Sequence, residues 1–106
     1  MSVMVTLWIQ GDPAKLEEFA GQYPDQIRAI SEQAKQHGVI AHRFYGSDDG
    51  QIMVIDEWPD AESFQGFFEA GAPEIQPLMQ DTGVEGEPVV TIWRKLESGD
   101  EVGWES

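Results

Sequence analysis

Val39-Ile40-Ala41-His42-Arg43-Phe44-Tyr45, Gly46-Ser47-Asp48-Asp49-Gly50 and Gln51-Ile52-Met53-Val54-Ile55-Asp56-Glu57-Trp58 follow one another without a gap. The two outer runs are rich in β-branched and aromatic residues, and the five residues between them are turn formers bounded by glycines. That pattern predicts a β-hairpin, with strands over 39–45 and 51–58. Pro59-Asp60 then starts a helix whose apolar positions are Ala61, Phe64, Phe67 and Phe68, and later Ile75, Leu78 and Met79. Steps of three, four and seven place them on one stripe. Gly71-Ala72-Pro73 is predicted to break this helix midway, since proline removes an amide donor and collides with the preceding turn.

Upstream of the hairpin, residues 3–10 (Val-Met-Val-Thr-Leu-Trp-Ile-Gln) read as a first strand. Asp12-Pro13 supplies an N-cap and a first-turn proline. Leu16, Phe19, Ala20, Tyr23, Ile27, Ile30 and Ala34 continue as a helical stripe that Pro24 should kink or split. Gly38 suits the left-handed position past the helix end. Downstream, 81–88 reads as a loop with two glycines, 89–96 as a fourth strand, and 97–106 as an acidic tail reaching Trp104.

The order βαββαβ predicts an α+β, ferredoxin-like domain over 1–96: a four-stranded antiparallel sheet with two helices on one face. Helices after strands one and three cover only that face, so a monomer needs a polar opposite face. Both alternate sets of the first and third strands carry large apolar side chains: Val3, Val5, Leu7 and Ile9 against Met4 and Trp8, and Ile52, Val54 and Trp58 against Met53 and Ile55. A sheet apolar on both faces requires a second layer. With no helices left to supply it, a homodimer joined sheet to sheet about a twofold axis is expected, a dimeric α/β barrel.

Composition narrows the partners. Six basic and twenty acidic residues give a formal charge of −14, which repels phosphate backbones and anionic membrane surfaces, so neither nucleic acid nor membrane is expected. The longest apolar runs, such as Val39-Ile40-Ala41, fall far short of the roughly 20 residues that span a bilayer. No basic region precedes the first apolar residues, so a signal peptide is not expected. The absence of cysteine excludes disulfides, thiolate metal sites and a cysteine nucleophile, and a cytoplasmic location is the natural expectation.

The stretch Phe44-Tyr45-Gly46 through Ile52-Met53-Val54-Ile55-Asp56-Glu57-Trp58-Pro59-Asp60-Ala61-Glu62-Ser63-Phe64 resembles the middle third of the antibiotic biosynthesis monooxygenase superfamily of dimeric α/β barrels. The element order extends the resemblance over about 3–96. It implies the fold, and among the activities of that superfamily it includes cofactor-independent quinone-forming oxygenation and heme degradation. The resemblance puts Trp58 in a cleft between sheet and helices. The Asn that active members carry on the first strand falls near Leu7 here, a departure. Heme-binding members place a His on the second helix, whereas 60–81 contain none, so heme degradation is disfavoured and no cofactor is expected.

If Tyr45 pairs with Gln51, His42 lies opposite Val54, and Phe44, Val54, Asp56 and Trp58 share its face. His42 and Asp56 are then diagonal neighbours able to hydrogen-bond. A carboxylate-oriented imidazole in an apolar cleft is a general base in type; the same pair also serves as a structural contact. The expected catalytic set is His42, Asp56 and Trp58, with Trp8, Phe44, Phe64 and Phe68 as walls for a small aromatic ligand. Those aromatic residues equally suit a core or a dimer interface. His37 reads as a partner of the helix dipole. Two histidines without cysteine make no dedicated transition-metal site, and Asp48-Asp49 lacks calcium-loop spacing. Two functions remain: a cofactor-independent monooxygenase or related enzyme acting on a planar phenol, and a non-catalytic dimeric ligand-binding or scaffold protein.

Overall fold

The computed structural model describes residues 2–104. The elements are β1 (Val3–Gln10), α1 (Pro13–Gln22), α2 (Pro24–Gln36), β2 (Ala41–Gly46), β3 (Gln51–Trp58), α3 (Ala61–Asp81) and β4 (Glu85–Arg94). The strands form one antiparallel sheet in the order β2-β3-β1-β4, the ferredoxin-like arrangement expected from the element order.

Period-two alternation fixes which side chains meet the helices. Val5, Leu7 and Ile9 of β1 and Ile52, Val54, Asp56 and Trp58 of β3 are buried beneath them. From α2 and α3 come Ala34, Phe64 and Phe67 to complete that core. Trp58 is 0% exposed and lies between Phe64 and Phe67, with ring centroids 5.9 and 5.4 Å away. Truncating an aromatic side chain so placed costs about 3–5 kcal/mol.

Pro24 splits the first helical run into α1 and α2, with the Tyr23 amide still donating to the Phe19 carbonyl at 2.7 Å. Gly38, at φ 97°, ends α2 with its amide on the Lys35 carbonyl.

Three elements differ from the sequence reading, the least of them β2, predicted over 39–45 and running over Ala41–Gly46. α3 runs unbroken through Gly71-Ala72-Pro73 and contains both Pro73 and Pro77. Gly71 is buried where α2 and α3 meet: a methyl group there would lie 3.3–3.5 Å from Ile75, Gln33 and Phe67. The glycine thus permits close helix packing, and the packing of Phe64, Phe67 and Leu78 holds the helix despite its prolines. β4 begins at Glu85, inside the stretch expected to be loop, and its register against β1 shifts between Trp8 and Gln10. That irregularity contains Pro88, which an edge strand accommodates because one side of its backbone has no ladder partner.

The face away from the helices carries Met4, Trp8, Met53 and Ile55 with Val89 and Trp93 beside them, as the pairings Met4↔Trp93, Trp8↔Val89 and Trp8↔Met53 require. Val89 and Trp93 are each 52% exposed. Among the described residues no helix is long and apolar enough to cross a membrane.

Candidate active site

The hairpin places the reactive groups. Ser47 N–H donates to the Gln51 carbonyl at 2.9 Å, leaving Asp48, Asp49 and Gly50 as a three-residue loop with Gly50 at φ 86°. Such a loop ends with a residue in the left-handed region, which glycine occupies without strain. The Ser47 hydroxyl further accepts from the Gln51 amide at 3.1 Å. The resulting register pairs Tyr45 with Met53 and His42 with Asp56. It is shifted by two residues from the Tyr45–Gln51 pairing considered above. An even shift leaves every side chain on its face, so His42 and Asp56 still meet, now directly across the strands.

His42 Nδ1 lies 2.6 Å from Asp56 Oδ1. Trp58 Nε1 donates to Asp56 Oδ2 at 3.2 Å. The carboxylate, 3% exposed, is therefore gripped at both oxygens, by a ring on β2 and by an indole two residues along its own strand. With a proton on Nδ1 facing the carboxylate, Nε2 is the free basic nitrogen of His42; this tautomer is assigned from the hydrogen-bond geometry. Phe44 stands edge-on to the imidazole, centroids 5.1 Å apart.

His42 and Asp56 form one wall of a cavity of about 70 Å³ between sheet and helices. Phe44, Phe64 and Phe68 line it, with Leu7, Ile75 and Met79. Phe64 and Phe68 stack, centroids 5.6 Å apart. Thr82 also borders it, but its hydroxyl donates to the Leu78 carbonyl at 2.8 Å. The wall is thus apolar except at the His42–Asp56 end. An engineered apolar cavity of about 150 Å³ holds benzene, so this one admits an aromatic ring only after the phenylalanines move.

Two of the expected residues lie elsewhere. Trp8 is on the opposite face of the sheet, its indole N–H on Gln51 Oε1 at 2.8 Å. It projects away from the helices because Leu7 and Ile9 project toward them. Trp58 shares the face of His42 but stands behind the cavity, packed on its lining residues Phe64 and Phe67, and meets its polar end through Asp56. Leu7, where the family resemblance puts an Asn, supplies only apolar wall. Arg43 and Tyr45 are also on the far face, where the Arg43 guanidinium donates to the Tyr45 hydroxyl at 3.1 Å. That bond raises the Arg43 pKa above its ordinary value. His37 caps α2 and sits edge-on to Phe67. Among the described residues, no three His, Asp or Glu side chains gather as a metal-holding group. Ile75, Met79 and Val84 complete the far end of the cavity; they belong to the helical stripe and the loop after it, where the sequence indicates core and nothing more specific.

Fold and site define a ferredoxin-like α+β domain with a carboxylate-held histidine at the end of an apolar cavity. No protein-family model and no curated protein sequence matches the chain. Solved structures do. The fold is similar to that of an antibiotic biosynthesis monooxygenase (TM-score 0.63, 14% identity, 89% of this chain and 98% of that one). A dimeric ferredoxin-like protein from an uncultured marine organism matches with TM-score 0.65 and 14% identity, over 92% and 90% of the two chains. SnoaB, a cofactor-independent oxygenase from Streptomyces nogalater, matches with TM-score 0.60 and 14% identity over 94% and 97%. The chain has an antibiotic-biosynthesis-monooxygenase-like fold.

Proposed function

We propose that this protein is a cofactor-independent oxygenase of phenols, working as a homodimer in the cytoplasm. The observation that carries the reading is the hydrogen-bonded series Trp58–Asp56–His42, with His42 and Asp56 at the polar end of an otherwise apolar cavity. Structural likeness to SnoaB supplies the reaction class.

His42 Nε2 accepts the phenolic proton, and Asp56 holds the ring and stabilises the imidazolium formed. The resulting phenolate is electron-rich and reacts with dioxygen, the oxidant of this proposal. A C–O bond forms at the para carbon, giving a hydroperoxide after proton transfer. Loss of water breaks the O–O bond and leaves a carbonyl: one oxygen atom enters the quinone and the other leaves as water. The apolar lining of the cavity lies to one side of the anion, while the His42 side chain, 32% exposed, also reaches solvent. The phenolate faces no cation among the cavity residues, so the imidazolium is its counter-charge.

The test is oxygen consumption with a panel of phenols and naphthols. His42→Ala should lower turnover by about 10²–10⁴-fold; undiminished turnover in that variant rejects the mechanism. The alternative, a non-catalytic ligand-binding dimer, is favoured by Leu7 and by the smallness of the cavity. It predicts saturable binding of the same phenols with no oxygen uptake.

The homodimer is supported by the open apolar face around Met4, Trp8, Met53 and Ile55, which a second sheet would cover. The charge of −14 disfavours nucleic acid and anionic membrane surfaces as partners. We assign 1–96 as the working domain and 97–106 as an acidic appendage; Met1, Glu105 and Ser106 lie outside the described residues. Sedimentation at two protein concentrations tests the assembly, and a monomer throughout would overturn it.

A further inference from the structure

A second cleft, of about 440 Å³, lies between α3 and the irregular start of β4. It is bordered by Ala72, Gln76, Glu87 and Pro88, together with Phe68, Ile75 and Met79. Those last three also line the 70 Å³ cavity that holds His42. Steps of seven and four put them on one stripe of α3, so they form the partition between the two spaces. The half of α3 that carries Ile75 and Met79 also contains Pro73 and Pro77. Each proline lacks the amide that would bond the carbonyl four residues earlier, so this half is held by fewer backbone bonds than a regular helix. Across the cleft, β4 departs from regular pairing with β1.

We propose that the outer cleft is a second subsite for the ligand of the inner cavity, and that Phe68, Ile75 and Met79 are the side chains that move aside to join the two. The ligand class that fits is an elongated phenol of at least two rings, its hydroxyl on His42 and its far ring against Ala72 and Met79. The inner space alone is too small for one ring, whereas the joined space suits two. Only the orientation of the hydroxyl rests on the general-base reading above; the subsite rests on the shared partition.

Phenol and 4-phenylphenol are the probes, titrated calorimetrically into the full chain. Wild type should bind 4-phenylphenol roughly tenfold or more tighter than phenol, since a second ring is buried. Ala72→Phe fills the outer cleft and should bring the ratio to within about threefold. An independent readout in the unmodified protein is the nuclear Overhauser effect from the far ring to the Ala72 and Met79 methyl groups. An unchanged ratio in folded Ala72→Phe, or a far ring that contacts neither methyl, overturns the proposal. Should His42→Ala leave phenol turnover intact while Ala72→Phe still abolishes the preference, the general-base reading fails and the subsite stands.

Discussion

Asp56 is the residue on which the site turns. Its two oxygens face two donors, the His42 ring and the Trp58 indole, so each neighbour tests a different property. In Asp56→Asn one of the two positions becomes an NH₂ group, and a donor then faces a donor. The imidazole loses its fixed tautomer, and kcat for any phenol turned over should fall by about 10²–10⁴-fold with little change in KM. Equal losses in kcat and 1/KM would instead make Asp56 a ligand-binding group. Trp58→Phe retains a ring between Phe64 and Phe67 but leaves Asp56 Oδ2 buried without a donor. Equilibrium unfolding should show a loss of about 1–3 kcal/mol, and an unchanged midpoint would deny the indole any part in holding the carboxylate. That His42 and Asp56 can share a face is legible in the sequence on condition of the pairing parity, which an even change of register keeps and a one-residue slip would lose. The directly opposed pairing is not, since it depends on how Ser47 closes the loop, a hydrogen-bond choice among several turn formers. Trp8 misleads for a related reason. Aromatic character marks both faces of a sheet that is apolar on both, and composition does not say which face borders the cavity.

At the level of elements, α3 is where local chemistry and tertiary packing oppose each other. Two prolines and a glycine predict a break, and the buried side of the helix overrides them. Pro73→Ala should therefore restore an amide donor toward the Glu69 carbonyl and raise the thermal midpoint. The gain is limited to about 1–2 kcal/mol, because the greater freedom of the unfolded chain offsets part of the helix propensity of about 3 kcal/mol. A lower midpoint would mean that the helix is adapted to the proline ring at this position. The start of α3 is conventional by comparison. Asp60 accepts from the Ser63 amide at 2.7 Å, and that bond lowers its pKa below 3.8. A depressed carboxylate contributes stability that is fully present above 3.8 and is lost as the pH falls through the lower, folded-state value. Asp60→Asn keeps an acceptor but does not titrate, so the midpoint of the variant should fall less steeply than wild type below pH 3.8. Identical acid limbs would remove Asp60 from the acid response. The hairpin and the caps are readable from sequence because each rests on a few adjacent residues. The start of β4 is not, because its pairing with Gln10 is a contact between distant parts of the chain.

For the whole molecule, the charge of −14 must be accommodated on a body of radius of gyration 14.4 Å. The lysine and arginine ion pairs present, such as Arg28–Asp25, Lys35–Glu32 and Lys95–Glu101, are local in sequence and lie on the surface, where a pair contributes little. Salt has little attraction to screen and much repulsion. The Debye length falls from about 30 Å at 0.01 M to about 3 Å at 1 M, from well beyond the molecular radius to well inside it. Self-repulsion acts across the whole body at low salt and only between near neighbours at high salt. The thermal midpoint should consequently rise by several degrees between low salt and about 0.5 M NaCl, in line with a gain of about 1 kcal/mol for a domain of this size. Sodium perchlorate distinguishes screening from preferential exclusion of the salt. Both salts should act alike up to about 0.2 M, where screening dominates, and diverge above it. Repeating the scans at two protein concentrations separates this effect from dimerisation, because two like-charged sheets also associate more readily once screened, and only that contribution depends on concentration. A midpoint that stays flat in both salts would show that the acidic surface is neutralised by means other than mobile ions, and repulsion would then cease to be a determinant of this fold's stability.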